Sequence, residues 1–138
     1  WHVAYLQANN LLDNKFPTLL EKVRVRMHEI DREEGWGLLI GPYHLRVAEY
    51  HRQCAPSPAL PDVNHYDESS LITVDILLNT CFEGGQFRTL ESNGALVQHN
   101  FNEAGDALFF VSHKYHCVSP ITKGDRRVLV LEFWPGPA

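Results

Sequence analysis

The sequence predicts an all-β core preceded by one helical segment. Three observations carry this. Apolar residues near the N-terminus recur at helical spacing. From Trp36 onward the chain breaks into short apolar runs punctuated by Gly, Pro and Asn. The length of 138 residues suits one domain with a real core. The expected division is a single domain over 1–138, with a helical part at about 8–34 and a strand-built core at about 36–134.

The helix comes first. Pro17 suits a first helical turn. After it Leu19, Leu20, Val23, Met27 and Ile30 repeat at helical spacing, with Glu21, Lys22, Arg24, Arg26 and Glu29 between them. This is an amphipathic helix covering an apolar surface, and it should stop near Glu34-Gly35. The predicted strands are 37–40, 44–50, 71–79, 86–91, 95–99, 107–111 and 126–134. Their breaks are Gly41-Pro42, the 56–61 stretch, Gly84-Gly85, Ser92-Asn93-Gly94, Gly105-Asp106 and Lys123-Gly124-Asp125. "ESNGAL" reads as a hairpin turn centred on Asn-Gly. Pro56-Ser57-Pro58 lies in the longest predicted loop. Many short strands at this spacing indicate a sandwich or barrel.

Composition excludes some classes. The net charge of -5 argues against a protein built to hold nucleic acid, and no basic patch with interleaved aromatics is present. No apolar run approaches a membrane span of about 20 residues, so no membrane partner is expected for this fragment. The chain opens on Trp1 rather than Met. It therefore reads as a fragment, and localisation is weakly bounded: the cytoplasm is slightly favoured, with the secretory pathway as the alternative should a targeting segment have been removed. Cys54, Cys81 and Cys117 are odd in number and widely spaced, which fits neither a disulfide framework nor a zinc finger and favours reduced thiols.

Eight histidines are the unusual count. In "NHYDESSLITVDILLN", His65 and Asp67 sit two apart before an apolar run, and on an extended chain such residues point the same way. Farther on, "HKYHCVSPITKGDRRVLVLEFW" holds His113 and His116. Two imidazoles and one carboxylate on one face of a metal leave open positions, the arrangement of non-haem Fe(II) oxygenases. His2, His28, His44 and His99 show no ligand spacing and read as surface or satisfied strand residues; His51 lies close to the expected site. Within 71–79, Ile72, Val74, Ile76 and Leu78 are the core set, and Thr73, Asp75, Leu77 and Asn79 should face the interior of the barrel. An inward Asp75 needs a partner.

Five features in order carry a family resemblance: "HYD" followed by "LITVDILLN", then "FEGGQF", "GDALFF" and "HCVSPITKGDR". Together they resemble the 2-oxoglutarate- and Fe(II)-dependent dioxygenases, and most of all the prolyl 4-hydroxylase-like branch, over about residues 44–134. The resemblance implies a double-stranded β-helix, a cupin-like jelly roll of two antiparallel sheets. It implies Fe(II) held by His65, Asp67 and His116, because the Val118-x-Pro120 and Gly124-x-Arg126 tail is in register with His116 and not with His113. It implies Arg126 as the partner of the distal carboxylate of 2-oxoglutarate, which a planar guanidinium suits; Arg127 points to the other strand face. Members acting on collagen-like substrates carry Lys there, so Arg126 departs from them. By the same resemblance Tyr50 lines the cosubstrate pocket, with Thr73, Asp75 and Leu77 as further lining; some relatives carry a Tyr near Leu77.

The implied activity is hydroxylation of a C–H bond with O2, giving succinate and CO2, with ascorbate in support. The expected partners are a small-molecule cosubstrate and a peptide, protein or free amino-acid substrate, a prolyl side chain first and a lysyl one next. Two alternatives stand beside it. One is a metal-binding jelly roll without oxygenase activity, such as a cupin isomerase or a binding domain, which has no need for the Gly-x-Arg tail. The other is a nucleic-acid demethylase on the same scaffold, which the acidic balance disfavours.

Overall fold

The apolar periodicity after Pro17 becomes a helix because its buried side chains have a sheet to cover. In the computed structural model, which describes residues 1–138, a short 3-10 turn at Ala8–Asn10 leads into α1 (Leu11–Lys15) and α2 (Pro17–Glu33). Leu20, Val23 and Met27 of α2 are buried, joined by one residue the pattern did not mark, Asp31. The Asp31 carboxylate accepts hydrogen bonds from the backbone N–H groups of Leu38 (2.9 Å) and Leu39 (3.2 Å). These bonds hold 37–40 as a loop instead of the predicted strand. Asp31→Ala would leave both donors without this acceptor, the Leu39 N–H in a buried position. It should lower stability by about 2 kcal/mol, seen as a lower urea midpoint at constant slope.

Ten strands follow the jelly-roll pattern. They are β1 (His2–Tyr5), β2 (His44–Cys54), β3 (Leu60–His65), β4 (Ile72–Leu77), β5 (Phe82–Gly84), β6 (Phe87–Leu90), β7 (Leu96–Gln98), β8 (Ala107–Val111), β9 (His116–Val118) and β10 (Ile121–Trp134). The larger sheet runs β1-β2-β10-β4-β8, with β5 also paired to β10, and the smaller runs β3-β9-β6-β7. All pairings are antiparallel. The predicted loop over 56–61 instead ends in β3, and β1, β5 and β9 are short strands that local patterning did not mark. Ser92-Asn93-Gly94 does turn the β6–β7 hairpin, with Leu90 opposite Leu96.

Side-chain alternation on β4 sorts two cores. Ile72, Val74 and Ile76 face outward with Leu129, Leu131 and Phe133 of β10, under Leu20, Val23 and Met27 of α2. Leu77 faces inward with Val128, Phe110, Phe87 and Val118, filling the space between the sheets. All six residues of β4 are buried because both of its faces are covered. Asn79 lies past the strand end and bridges backbone: it donates to the Asp125 carbonyl and accepts from Arg127 N–H. All three cysteines are free, and only Cys117 is buried. No helix is long and apolar enough to cross a membrane.

Candidate active site

His65 ends β3 and His116 begins β9, and those two residues pair directly across the smaller sheet. Asp67 follows the end of β3, and its backbone N–H donates to the Ser112 carbonyl at 2.8 Å. One ligand atom from each of His65, Asp67 and His116 lies within 4.8 Å of the others. The two imidazoles meet edge to face, with centroids 4.9 Å apart.

His116 and Asp67 are each held by a hydrogen bond behind the cluster. His116 Nδ1 is 2.9 Å from the Lys114 carbonyl, which can only accept, so Nδ1 carries the proton and Nε2 presents its lone pair to the site. Phe87 stacks on the His116 ring at 5.6 Å and Phe110 leans on it at 4.8 Å. This burial holds the imidazole below its ordinary pKa, in the neutral form that a metal needs. Asp67 Oδ2 accepts from Thr73 Oγ (2.7 Å), which also meets Ser112 Oγ (2.9 Å). Oδ1 is left facing His65 Nε2 at 3.2 Å and His116 Nε2 at 3.7 Å. His113 is exposed and lies against Tyr66, outside this cluster.

The three groups open onto a cavity of about 290 Å3 between the sheets. Arg126 lines it and is 5% exposed. Its guanidinium lies over the Phe101 ring at 5.9 Å, and its Nε and Nη2 have no hydrogen-bond partner in the chain. Burial lowers the Arg126 pKa, partly offset by Asp75. The Gly-Gly turn explains itself here. A Cβ on Gly85, where φ is +64°, would stand 2.8 Å from Arg126 Cδ, and one on Gly84 would run into the Pro120 carbonyl. Arg127 points out and pairs with Asp125 at 3.1 Å.

The remaining expected residues divide. Asp75 lines the cavity. Thr73 stands behind Asp67 as its hydrogen-bond donor, and Leu77 is core; neither lines the cavity. Tyr50 does not reach it. On β2 the cavity side carries Glu49, His51 and Gln53, so Tyr50 takes the opposite side, opposite Leu129 in the ladder. The correction is one of strand parity. The signal was present as the polar alternation Glu49-x-His51-x-Gln53, visible once the strand is carried past Tyr50 to Cys54. These residues form a chain at the cavity wall. Trp1 Nε1–H donates to His51 Nδ1 (2.9 Å), and His51 Nε2–H therefore donates to Glu49 Oε1 (3.0 Å). Glu132 completes the lining, accepting from Ser70 Oγ at 2.7 Å.

No family model matches the chain, and no curated protein matches it in sequence. Solved structures do share its fold. An oxidoreductase of the 2OG-Fe(II) oxygenase family from Burkholderia pseudomallei superposes with a TM-score of 0.67 at 18% identity, over 88% of this chain and 57% of that one. A prolyl-4-hydroxylase from Pseudomonas putida gives 0.61 at 17% identity, over 98% and 72%. The viral collagen prolyl hydroxylase of Paramecium Bursaria Chlorella virus-1 gives 0.64 at 13% identity, over 99% and 80%. This chain thus spans little more than half of the Burkholderia protein. At these identities the likeness establishes the double-stranded β-helix, and function rests on the site.

Proposed function

We propose that this chain is an Fe(II)- and 2-oxoglutarate-dependent dioxygenase of the prolyl 4-hydroxylase-like kind, hydroxylating a C–H bond of a prolyl or other amino-acid side chain. The observation that carries the reading is Arg126. A buried guanidinium with two unpartnered N–H positions faces the same cavity as two imidazoles and a carboxylate. Such a group is costly to bury unless an anion answers it. A metal-binding jelly roll that lacked an anionic cosubstrate would have no use for it.

The donor set fits the metal: two imidazoles and one carboxylate suit Fe(II) and leave positions free. His65, Asp67 and His116 would hold the ion, and Arg126 would hold the far carboxylate of 2-oxoglutarate. When bound, Fe(II) with 2-oxoglutarate and O2 supplies oxidative decarboxylation to succinate and CO2 and the oxidising equivalent for hydroxylation. This chain does the rest. The Lys114 carbonyl fixes the His116 tautomer, and Thr73 orients Asp67. Val128, Val130, Leu60 and Val118 give the cavity apolar walls that limit water. Glu49, His51 and Trp1 give the same cavity a polar wall that a substrate side chain would meet.

The test is succinate release from 2-oxoglutarate by protein supplied with Fe(II) and ascorbate, followed by a screen of prolyl and lysyl peptides and free amino acids. The expected result is turnover that requires Fe(II) and rises with the right substrate. Absence of both turnover and 2-oxoglutarate binding would sink the proposal.

A further inference from the structure

Asp75 is a carboxyl side chain of the cavity that this function leaves unused. It projects inward from the middle of β4, where its ladder neighbours are Val130 and Leu108. It is 9% exposed and lines the cavity beside Arg126, and its carboxyl makes no hydrogen bond. Arg126 is its nearest countercharge, yet the two form no ion pair, and Arg126 keeps its own unpartnered N–H groups. Two buried polar groups of opposite type thus face one space without satisfying each other. Position on the ladder says what lies between them. Thr73, which holds Asp67, is two residues along β4 on the same face, and Arg126 lies two cavity-facing steps along β10 from Val130, the residue opposite Asp75. A ligand reaching from the metal-ligand cluster to Arg126 therefore passes Asp75.

An ionised Asp75 would repel a dicarboxylate placed there; a protonated one would supply a donor. We propose that Asp75 is a cosubstrate-positioning residue that takes part as the neutral acid, donating its O–H to an oxygen of the same dicarboxylate that pairs with Arg126. This rests on the dioxygenase reading above. The surroundings favour the neutral form. The Asp75 carboxyl is pushed up to about 7, by burial first and also by the negative charges of Asp67 and Glu132, with Arg126 alone opposing. Facing the same cavity are Glu49 and His51 on β2, and His65 and His116 on the smaller sheet. The consequence is proton-linked binding: above the Asp75 pKa each ligand bound takes up one proton, so affinity falls as pH rises.

The experiment is calorimetric binding of 2-oxoglutarate to the Mn(II)-loaded protein without O2, from pH 6.5 to 8.5. For the wild type the Kd should weaken roughly ten-fold or more across the range, with uptake of one proton per ligand at the alkaline end. Asp75→Asn keeps a donor and cannot ionise. It should bind with a flat pH profile, and at pH 8.5 more tightly than the wild type. Asp75→Ala should bind weakly at every pH. An Asn variant that follows the wild-type pH profile, or that binds no better than the Ala variant, overturns the assignment. If the wild type binds Mn(II) but no 2-oxoglutarate at any pH, the dioxygenase reading itself falls, and this proposal falls with it.

Discussion

Arg126→Met is expected to make the free protein more stable and to abolish binding of 2-oxoglutarate. The guanidinium is 5% exposed, and Nε and Nη2 have no partner in the chain. In the free protein that desolvation opposes folding, because an unmet buried donor costs about 1–3 kcal/mol and a charged one more. Methionine has similar reach, no charge, and enough flexibility to fill the slot between Phe101 and Gly85. Its unfolding free energy should exceed the wild type's by about 1–3 kcal/mol. The comparison belongs near pH 6. Arg126 opposes the rise in the Asp75 pKa, so without it Asp75 stays protonated at that pH and adds no new buried charge. Over the same substitution, affinity for 2-oxoglutarate should fall at least about a hundred-fold, the scale of truncating one side of a buried charge pair. Denaturant melts and titration calorimetry read the two effects separately. A variant that is destabilised and still binds would make Arg126 a structural residue.

His116→Ala is expected to remove metal binding and, with it, all turnover. His116 is the most buried of the three candidate ligands: its side chain is 6% exposed, against 12% for Asp67 and 38% for His65. The imidazole supplies Nε2 to the site and satisfies the Lys114 carbonyl with Nδ1–H. Truncation loses both and leaves a hole beside Phe87 and Phe110. Metal affinity should fall by more than about a hundred-fold, since loss of an outer partner alone reaches 10–100-fold. Thr73→Val provides the control for folding. It nearly keeps the shape of the side chain and removes only the hydroxyl that holds Asp67 Oδ2. It should weaken Mn(II) or Fe(II) binding by about ten-fold with retained circular dichroism. Wild-type metal affinity in both variants would mean that the ion sits elsewhere.

Much of this was legible in the chain because it is local. The amphipathic run after Pro17 has the period of a helix, and it folds as one. His65 and Asp67 are two positions apart and lie in one cluster, and the family resemblance of the tail pointed to His116, which joins them, over His113. The same alternation put Thr73, Asp75 and Leu77 on the inner face of β4. The errors share one cause. A strand at 37–40 looked sound by composition, but a buried carboxylate on α2 claims its backbone N–H groups. Tyr50 was expected in the pocket by family resemblance, as an aromatic near the end of the strand before His65. Its face is decided by the β10 partner, which turns Glu49, His51 and Gln53 inward instead. Short strands such as β5 and β9 carry too few residues to show a period.

The sequence by itself determined the helix and the strand-rich class, since each depends on residues a few positions apart. Tertiary structure alone decided that Thr73 supports Asp67 instead of lining the cavity, that Gly85 makes room for Arg126, and that Arg126 and Asp75 face one space unpaired. Those relations join residues 6, 41 and 51 positions apart along the chain. Strand alternation settles which side a residue takes. Which residue stands across from it is set by sheet register, and register is a property of the closed barrel.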